Sequence, residues 1–306
     1  MRFGLTGGAG TVDKIVAQAQ RAEADGFSAL WYASNVAGDP LTAMALAGRA
    51  TSRIELGTAV LQTYPCHPLL QANRVAAAAN AMNRPGLTLG LGPSHRPLVE
   101  GVLGLDYDHP GRNTEEYLRI VTALLDGQRV DVDGEDWTTH SDGRMATLDH
   151  PVPVLLSALS PRLLRVAGEL AAGTVLWMAT AEAIDRHVAP TLTAAAEAAG
   201  RPAPRIVAGL PIVVHDDAAQ AREAIAATSG AYAGMPNYRR ILDRGGVSDP
   251  AEAAIVGTER EVTQQLNRLI DAGATDVWAQ LTPVGPDRRT SLIRARDLLR
   301  SLSSAS

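Results

Sequence analysis

The chain is poor in cysteine, lysine and aromatic residues, and each shortage narrows its possible chemistry. Cys66 is the one cysteine, which excludes an intrachain disulfide and a cluster of thiolate metal ligands. Lys14 is the only lysine among 28 basic residues, so covalent catalysis through a lysine amine would have to use it. Because Lys14 lies in a predicted amphipathic helix, we expect a solvated side chain there instead. Aromatic residues make up 4% of the chain, which predicts an aliphatic, alanine-rich core.

Several sequence motifs with known chemistry are also missing. The chain has no GxxxxGK[ST] phosphate loop, no HExxH metal pair and no GxSxG nucleophile motif. We therefore expect no metal centre, since a metal site would need ligands from distant parts of the chain. No stretch of about 18 apolar residues occurs, and the net charge of −5 leaves no basic footprint for nucleic acid. These absences predict a cytoplasmic protein that binds neither membranes nor nucleic acid.

Short apolar runs alternate with amphipathic helical stretches along almost the whole chain. Eight runs are predicted to be strands: Arg2–Thr6, Phe27–Ala33, Ile54–Leu61, Gly86–Gly92, Val152–Ala158, Thr174–Ala179, Arg205–Val214 and Ala274–Leu281. Continuous apolar runs are typical of parallel strands that helices cover. Eight strand–helix units in 306 residues favour an α/β fold, a single (β/α)8 barrel over residues 1–306. A doubly wound open sheet is the alternative.

Two polar stretches interrupt this alternation. Residues 127–150 precede the fifth strand, contain short alternating pieces and are predicted to be an insertion with a β-hairpin. Residues 232–257 follow the seventh strand and are predicted to be a second insertion, with one short helix in a loop. Loops this long in a compact domain are often lids or binding loops, and a passive surface role is the alternative.

A barrel places the residues that follow each strand on one face, where barrel enzymes have their active sites. The segment from Ile54 to Arg96 carries two such loops, both rich in hydroxyl, amide, thiol and imidazole groups. His95 is a candidate proton donor or cofactor contact. Cys66 is a candidate substrate contact, with inert packing as its alternative. Tyr32 and Trp177 lie near the ends of their predicted strands and could line a substrate pocket, although aromatic side chains there usually pack in the core.

Ser160 begins the best candidate for an anion site. It is a good N-cap residue, and Pro161 is a good first residue for the helix that follows the fifth strand. The free amides of such a helix N-terminus attract phosphate, and Arg162 is a nearby charge partner. A well-capped helix without a ligand is the alternative. His67, between two prolines, is predicted to cap the third helix in the same manner.

LGTAV in the third strand and RPGLTLGLGPSH around the fourth resemble the luciferase-like flavin and deazaflavin oxidoreductases. The resemblance extends over nearly the whole chain and includes VLLSALSPRLLRVAGELAAGTVLW and AGATDVWAQL. It implies a (β/α)8 barrel of the bacterial-luciferase type. The overall pattern is most similar to the branch that depends on coenzyme F420, a 5-deazaflavin. The preference for arginine over lysine suits a high-GC genome, in keeping with the actinobacteria, and the tendency of related barrels to dimerise implies a homodimer.

The resemblance also implies which residues contact the cofactor. In the family the third strand bulges at a cis peptide bond, which here falls at Ala59–Val60 and supports the middle deazaflavin ring. Gln62 matches a position that contacts the ring system. Two further loops match functional regions of the family. The first approaches the cofactor or substrate, and the second approaches the cofactor phosphate. Their residues are Gly92, Ser94 and His95 in the first loop, and Ala158, Leu159, Pro161 and Arg162 with the cap Ser160 in the second.

Two positions depart from the better-known members of that branch. F420-dependent sugar-phosphate dehydrogenases carry Asp-His after the second strand, where this chain has Ser34-Asn35. Their acidic glutamate after the fourth strand is replaced by His95. Both Ser34 and Asn35 remain candidate cofactor contacts, and Asn35 a candidate catalytic residue that hydrogen-bonds but cannot act as a base. His95 is the candidate proton donor, so the resemblance implies reduction of an activated C=C, C=N or C=O bond rather than sugar-phosphate oxidation.

Two other functions are compatible with the sequence. An FMN-dependent monooxygenase of the same barrel family would use reduced flavin and oxygen. A flavin- or deazaflavin-binding protein without turnover would account for the missing Asp-His pair. All three functions involve a small-molecule partner, which the sequence does not identify.

Overall fold

Eight parallel strand positions close into a barrel in the computed structural model, which describes residues 2–142 and 147–304. The strands are β1 (Arg2–Gly7), β2 (Ala29–Tyr32), β3 (Glu55–Thr58), β4 (Leu61–Gln62), β5 (Leu87–Gly92), β6 (Val130–Asp133), β7 (Thr138–Ser141), β8 (Val154–Leu156), β9 (Gly173–Trp177), β10 (Arg205–Val214), β11 (Ile255–Gly257) and β12 (Asp276–Leu281). Around the barrel the order is β1, β2, β3, β5, β8, β9, β10 and β12, and β12 pairs with β1 to close it. β4 continues β3 and shares its position, since both pair with β5. The predicted (β/α)8 fold is confirmed.

Helices surround the barrel and alternate with its strands. They are α1 (Val12–Ala24), α2 (Pro40–Arg49), α3 (Pro68–Met82), α4 (Arg96–Val99), α5 (Pro110–Leu125), α6 (Pro161–Leu170), α7 (Ala181–Ala183), α8 (Ala189–Ala198), α9 (Ala218–Ser229), α10 (Pro236–Arg244), α11 (Pro250–Ala253), α12 (Glu259–Asp271) and α13 (Arg288–Ser304). Aliphatic and alanine side chains fill the core between helices and sheet, as the composition predicts. None of the helices in the described residues has both the length and the apolar character that crossing a bilayer requires.

The third strand position is split at the peptide bond between Ala59 and Val60. This bond is cis, as the family resemblance implies. β3 pairs with β5 before the bond and β4 pairs with β5 after it. Between the two, the Thr58 hydroxyl donates to the carbonyl oxygen of Gly90 and accepts from its amide, both at 2.8 Å. One side chain therefore replaces the backbone pairing that the bulge interrupts.

Two tryptophans fill the inside of the barrel. Trp31 and Trp278 belong to a buried cluster that is separate from the core between helices and sheet. Glycines on neighbouring strands make room for them. A Cβ atom on Gly57 would lie 2.4 Å from the ring of Trp31, and one on Gly209 would lie 2.1 Å from the ring of Trp278. The indole rings thus give the barrel a solid interior beneath its open end.

A charge network closes the end of the barrel where the strands begin. Glu55 accepts hydrogen bonds from Arg205 at 3.0 Å and from Thr88 at 2.6 Å, and it also pairs with Arg2. Arg205 pairs in turn with Asp276 at 2.7 Å. Burial by itself would raise the pKa of Glu55, but the two guanidinium groups outweigh it and hold that pKa below its usual range. The network ties β1, β3, β5, β10 and β12 together, at the end of the barrel that serves stability.

Two helix caps follow the sequence prediction. The Nδ1 atom of His67 accepts a hydrogen bond from the amide of Leu69 at 3.2 Å, at the start of α3. The Oγ atom of Ser160 accepts one from the amide of Leu163 at 3.3 Å, with Pro161 as the first residue of α6. These bonds satisfy amides that have no partner within their own helix.

The two polar stretches differ in how closely they match expectation. Residues 127–150 contain the antiparallel hairpin of β6 and β7, while residues 143–146 lie outside the described part of the chain. Residues 232–257 hold more structure than the one short helix expected, because Pro236 and Pro250 each begin a helix. Their last three residues form β11, which pairs with β10. Three apolar residues are too few to show a strand period in sequence.

Candidate active site

The carboxyl ends of the barrel strands surround two cavities, which together we call the mouth cavity. The inner part has a volume of about 180 Å³ and the outer part about 240 Å³. Val60, Ser157 and Tyr238 line both, so the two are neighbouring parts of one site. A larger groove of about 770 Å³ lies at the opposite end, beside Pro153 and Val154. Barrel enzymes have their chemistry at the carboxyl ends of the strands, which makes the mouth cavity the candidate active site.

Aromatic rings line much of the inner part. Trp177 stacks on Trp278 with the ring centroids 5.0 Å apart. Tyr232 meets the ring of Trp177 at 6.2 Å and the ring of Tyr238 at 4.8 Å. Ala59 and Val60, which flank the cis peptide bond, belong to the same lining. The inner part is therefore largely apolar, and it includes Trp177, one of the predicted pocket residues.

The outer part brings together two loops that are far apart in sequence. Gly92, Ser94 and His95 follow β5, and Leu159 and Ser160 follow β8. Ser94 has a left-handed backbone with φ of 66°. Its Oγ atom is buried and has no hydrogen-bond partner among the residues that the structure describes. Because buried hydroxyls are normally hydrogen-bonded, this atom points to a ligand that the outer part receives.

Gly92 keeps the space between the two loops open. A Cβ atom at this position would lie 2.8 Å from Cγ2 of Val60 and 3.2 Å from Cβ of Ser157. Real side chains do not reach the shorter of these distances without moving their neighbours. A glycine at this strand end therefore lets a bound molecule approach the backbone closely.

Two helices begin at the outer part. Pro110 and Gly111 at the start of α5 line it, as do Ser160 and Leu163 at the start of α6. Helix N-termini carry free amides and the positive end of the helix dipole. Arg240 of the second insertion lies in the same lining. This combination of amides and a guanidinium is suited to a phosphate group.

His95 lies in the outer part with its ring 5.6 Å from the ring of Tyr238. Burial lowers the pKa of His95 below its ordinary value of 6.5. The imidazole is therefore neutral at neutral pH. In that form one ring nitrogen donates a hydrogen bond and the other accepts a proton.

The second insertion supplies residues that sequence reasoning missed. Tyr232, Asn237, Tyr238 and Arg240 all line the mouth cavity. Burial raises the pKa of Tyr238, so its hydroxyl stays protonated. The available signal was the run Pro-Asn-Tyr-Arg-Arg after the seventh strand, in which a proline suited to a helix start is followed by an aromatic and two basic residues.

Four predicted site residues line a different cavity, which we call the side pocket. It has a volume of about 340 Å³ and lies between α2, α3 and β4. The predicted residues there are Ser34, Asn35, Gln62 and Cys66. Further lining residues include Asp39, Gln71 and Arg74. The residues that the sequence assigned to one site thus divide between the mouth cavity and the side pocket, and Asn35 lies in the latter.

Four other predicted residues line neither cavity: Tyr32, Ala158, Pro161 and Arg162. Tyr32 and Ala158 are completely buried in the core between helices and sheet. Arg162 is half exposed and pairs with Glu115 at 2.9 Å. Arg240, and not Arg162, is the arginine that lines the outer part.

The luciferase-like monooxygenase family model matches residues 1–290. The chain belongs to this family. The F420-dependent hydroxymycolic acid dehydrogenase of Mycobacterium tuberculosis is 31% identical over 288 residues, which cover 86% of this chain and 77% of that protein. The family resemblance inferred from the sequence is therefore confirmed.

Solved structures share the fold at low sequence identity. The coenzyme F420 dependent tetrahydromethanopterin reductase from Methanopyrus kandleri superposes with a TM-score of 0.78 and 22% identity, over 98% of this chain and 97% of that one. The oxygenating constituent of 3,6-diketocamphane monooxygenase from Pseudomonas putida, solved in complex with FMN, gives a TM-score of 0.73 and 16% identity, over 100% and 98%. The fold is thus shared by an F420-dependent protein and by an FMN-bound one.

Proposed function

We propose that this protein is an F420-dependent oxidoreductase that transfers a hydride between the deazaflavin and a small organic substrate. Reduction of an activated C=C, C=N or C=O bond is the direction we favour. The proposal is carried by the buried Ser94 hydroxyl, which has no hydrogen-bond partner within the described residues and lies at a cavity on the face of the barrel where such enzymes carry out their chemistry. The F420-dependent relative from Mycobacterium tuberculosis supports the choice of cofactor.

The residues of the mouth cavity fit a deazaflavin ring system. Ligand pockets are mostly apolar with a few placed polar groups, and the mouth cavity matches this description. The aromatic lining and Val60 offer flat apolar contact, and Gly92 leaves the space that a side chain would occupy. The Ser94 hydroxyl is available to hydrogen-bond a ring substituent. Start residues of α5 and α6, together with Arg240, would hold the phosphate.

The chain's own residues then have separate tasks. F420, when bound, supplies or accepts the hydride. Trp177 and Trp278 would exclude water from one side of the reacting centre, because their stacked rings line the inner part. His95 exchanges a proton with the substrate through a ring nitrogen. Burial lowers the pKa of His95, so its protonated form is scarce at neutral pH. That form becomes more abundant as the solution is acidified, and reduction should then become faster.

An FMN-dependent monooxygenase is the second candidate, because an FMN-bound protein shares the fold over the whole chain. The polar groups at the start of α5 and α6 would serve an FMN phosphate as well. What distinguishes the two functions is which cofactor the mouth cavity selects. A binding protein without turnover is the third, and it differs from the first only in the absence of hydride transfer.

Titration of the purified protein with F420 and with FMN, followed by fluorescence, tests the proposal. We expect F420 to bind at micromolar concentration or below and FMN more weakly. Ser94→Ala should weaken F420 binding about threefold to tenfold, because one hydrogen bond is lost. Ser301→Ala, on an exposed part of α13, is the matched control and should bind as the unmodified protein does.

Two results would decide against the proposal. Micromolar binding of FMN without binding of F420 would establish the second candidate. Tight F420 binding with no hydride transfer to a panel of enones, imines and ketones would establish the third. Hydride transfer is measured as the change in F420 absorbance when the bound cofactor is oxidised.

A further inference from the structure

Gln71 lines the side pocket with a buried amide group that is only half satisfied. Its side chain is 1% exposed. The Oε1 atom accepts a hydrogen bond from Nη1 of Arg74 at 3.3 Å, but Nε2 is buried and has no partner among the described residues. A buried donor without an acceptor costs free energy, so a protein that retains one normally uses it. The amide therefore points to a ligand that accepts a hydrogen bond.

Arg74 adds a positive charge at a fixed position beside this amide. Its Nη2 atom lies 2.9 Å from Oδ1 of Asp39, and its Nη1 atom lies 3.7 Å from Sγ of Cys66. Asp39 is itself occupied, because its two carboxylate oxygens also accept from the amide of Leu41 and the hydroxyl of Thr42 at the start of α2. The ion pair thus orients the guanidinium. The remaining N–H groups of Arg74, together with Nε2 of Gln71, are donors that a ligand can use.

Uncharged polar side chains surround the rest of the side pocket. Ser34, Asn35 and Gln62 line it, and within the described residues none of their side chains makes a hydrogen bond to another protein group. Each can donate. These three side chains offer acceptors as well as donors, so they do not set the sign of the ligand. The charged acceptor of the lining, Asp39, is already paired, whereas Gln71 keeps a donor without a partner among the described residues.

We propose that the side pocket binds a carboxylate group of an organic molecule. A carboxylate accepts up to four hydrogen bonds and attracts a guanidinium, which matches the donors of Arg74 and Gln71. The side pocket is next to the mouth cavity, because Leu61 and Gln62 of β4 line the former and follow Val60, which lines the latter. Among the described residues the two cavities share no lining residue, so a molecule that reacts in the mouth cavity would have to extend past β4 to place an acidic group here.

Two molecules can supply the carboxylate: a substrate acid, or F420 through its glutamate tail. Only this choice between sources rests on the proposed function. The shared chemistry is testable without any cofactor. Glutarate, a small dicarboxylate, is the probe, and its binding to the full-length protein is measured by isothermal titration calorimetry. Glutaramide, the neutral diamide of the same length, is the comparison ligand.

We expect glutarate to bind and glutaramide to bind at least tenfold more weakly. Arg74→Met and Gln71→Leu should each weaken glutarate binding roughly tenfold to a hundredfold. Arg165→Met, an exposed arginine on α6 outside the side pocket, is the matched control. Gln71→Leu also removes the Nε2 donor, which has no partner within the described residues. The midpoint of thermal unfolding of this variant without ligand should therefore equal or exceed that of the unmodified protein. That combination of retained stability and lost binding is the signature of a binding role.

A second arm identifies the source of the carboxylate. F420 is compared with the tail-free deazaflavin, which keeps only the ribityl chain, on the unmodified protein and on Arg74→Met. If Arg74→Met weakens F420 but not the tail-free compound, the tail occupies the side pocket. If both bind as before while glutarate binding is lost, a substrate acid does. Absence of glutarate binding, together with folded variants that bind both cofactor forms normally, overturns the inference. Glutarate binding without any deazaflavin binding would overturn the proposed function alone.

Discussion

The Nε2 atom of His187 donates a hydrogen bond to the carbonyl oxygen of Leu159 at 3.0 Å. Its Nδ1 atom accepts from the guanidinium of Arg244, at the end of α10. Because a guanidinium only donates, these two bonds define a neutral imidazole with its proton on Nε2. His187 lies in a π-helical turn that joins α7 to α8. One side chain therefore links the helix that carries Tyr238 to the loop that lines the outer part of the mouth cavity.

We expect His187→Leu to weaken cofactor binding although His187 does not line the mouth cavity. Without the imidazole, the Leu159 carbonyl and the Arg244 guanidinium lose their shared partner. The dissociation constant of F420 should rise about threefold to tenfold, and the free energy of unfolding should fall by about 1 kcal/mol. Fluorescence titration and urea unfolding measure the two effects. His140→Leu, on the exposed hairpin, is the control, and an unchanged F420 affinity in His187→Leu would refute the positioning role.

The stability of the fold should decrease as the pH falls through the histidine range. Burial lowers the pKa of His187, with the Arg244 cation adding to the effect, and burial also lowers the pKa of His95. Below the ordinary value of about 6.5, the unfolded chain binds protons that the folded chain does not, so the unfolded state gains stability until the lowered pKa values are passed. Urea unfolding at about pH 7.5 and about pH 5.5 measures the loss. The double variant His95→Gln with His187→Gln should lose less stability over this interval, and an equal loss would contradict the assignment.

A second, more acidic transition should come from Glu55. Arg205 and Arg2 hold its pKa below its usual range in spite of burial, so the stabilisation is complete above the ordinary value of 4.5 and decreases as the pH falls through the lowered value. Glu55→Gln leaves Arg205 only partly compensated and should cost about 3 kcal/mol at neutral pH. The variant should also lack this part of the acid transition. Glu197→Gln, exposed on α8, is the control for the general effect of one carboxylate.

The barrel was predictable because its signal is repeated. Each of the eight strands is an apolar run followed by a helix, so an error of a few residues at one boundary leaves the count unchanged. The cap at Ser160 and Pro161 was also predictable, since capping depends on residues adjacent in sequence. The cis bond at Ala59–Val60 came from family resemblance, and no local propensity of alanine or valine would have indicated it.

The division of the candidate residues between two cavities was not predictable. Sequence shows that Ser34 and Asn35 follow a strand, which places them on the correct face of the barrel but not at a given distance from its axis. Arg162 is one residue beyond a helix start, yet its side chain turns to Glu115 on the neighbouring helix α5. Such choices depend on contacts between elements far apart in sequence. The aromatic residues of the second insertion were missed for the same reason.

His95 gives the sharpest test of the proposed chemistry. His95→Gln keeps a hydrogen-bonding group of similar length but removes the proton that the imidazole exchanges. Turnover should fall about a hundredfold, with little change in KM, since general acid–base catalysis contributes at least that much. In the unmodified protein the rate of reduction should increase as the pH falls toward the lowered pKa of His95, and the variant should lose this dependence. His140→Gln is the control, and a variant with full turnover and an unchanged pH profile would remove His95 from the mechanism.

Tyr238 should control how fast the cofactor enters and leaves. Its ring lines both parts of the mouth cavity and lies between His95 at 5.6 Å and Tyr232 at 4.8 Å, so a ring system that spans the two parts must pass it. We expect Tyr238→Ala to accelerate F420 association, and to accelerate dissociation more, because the ring contacts that retain the cofactor are lost. The dissociation constant should rise about tenfold. Tyr238→Phe keeps the ring and should behave as the unmodified protein does. Stopped-flow fluorescence measures both rates, and rates in Tyr238→Ala equal to those in Tyr238→Phe would show that the second insertion does not gate the mouth cavity.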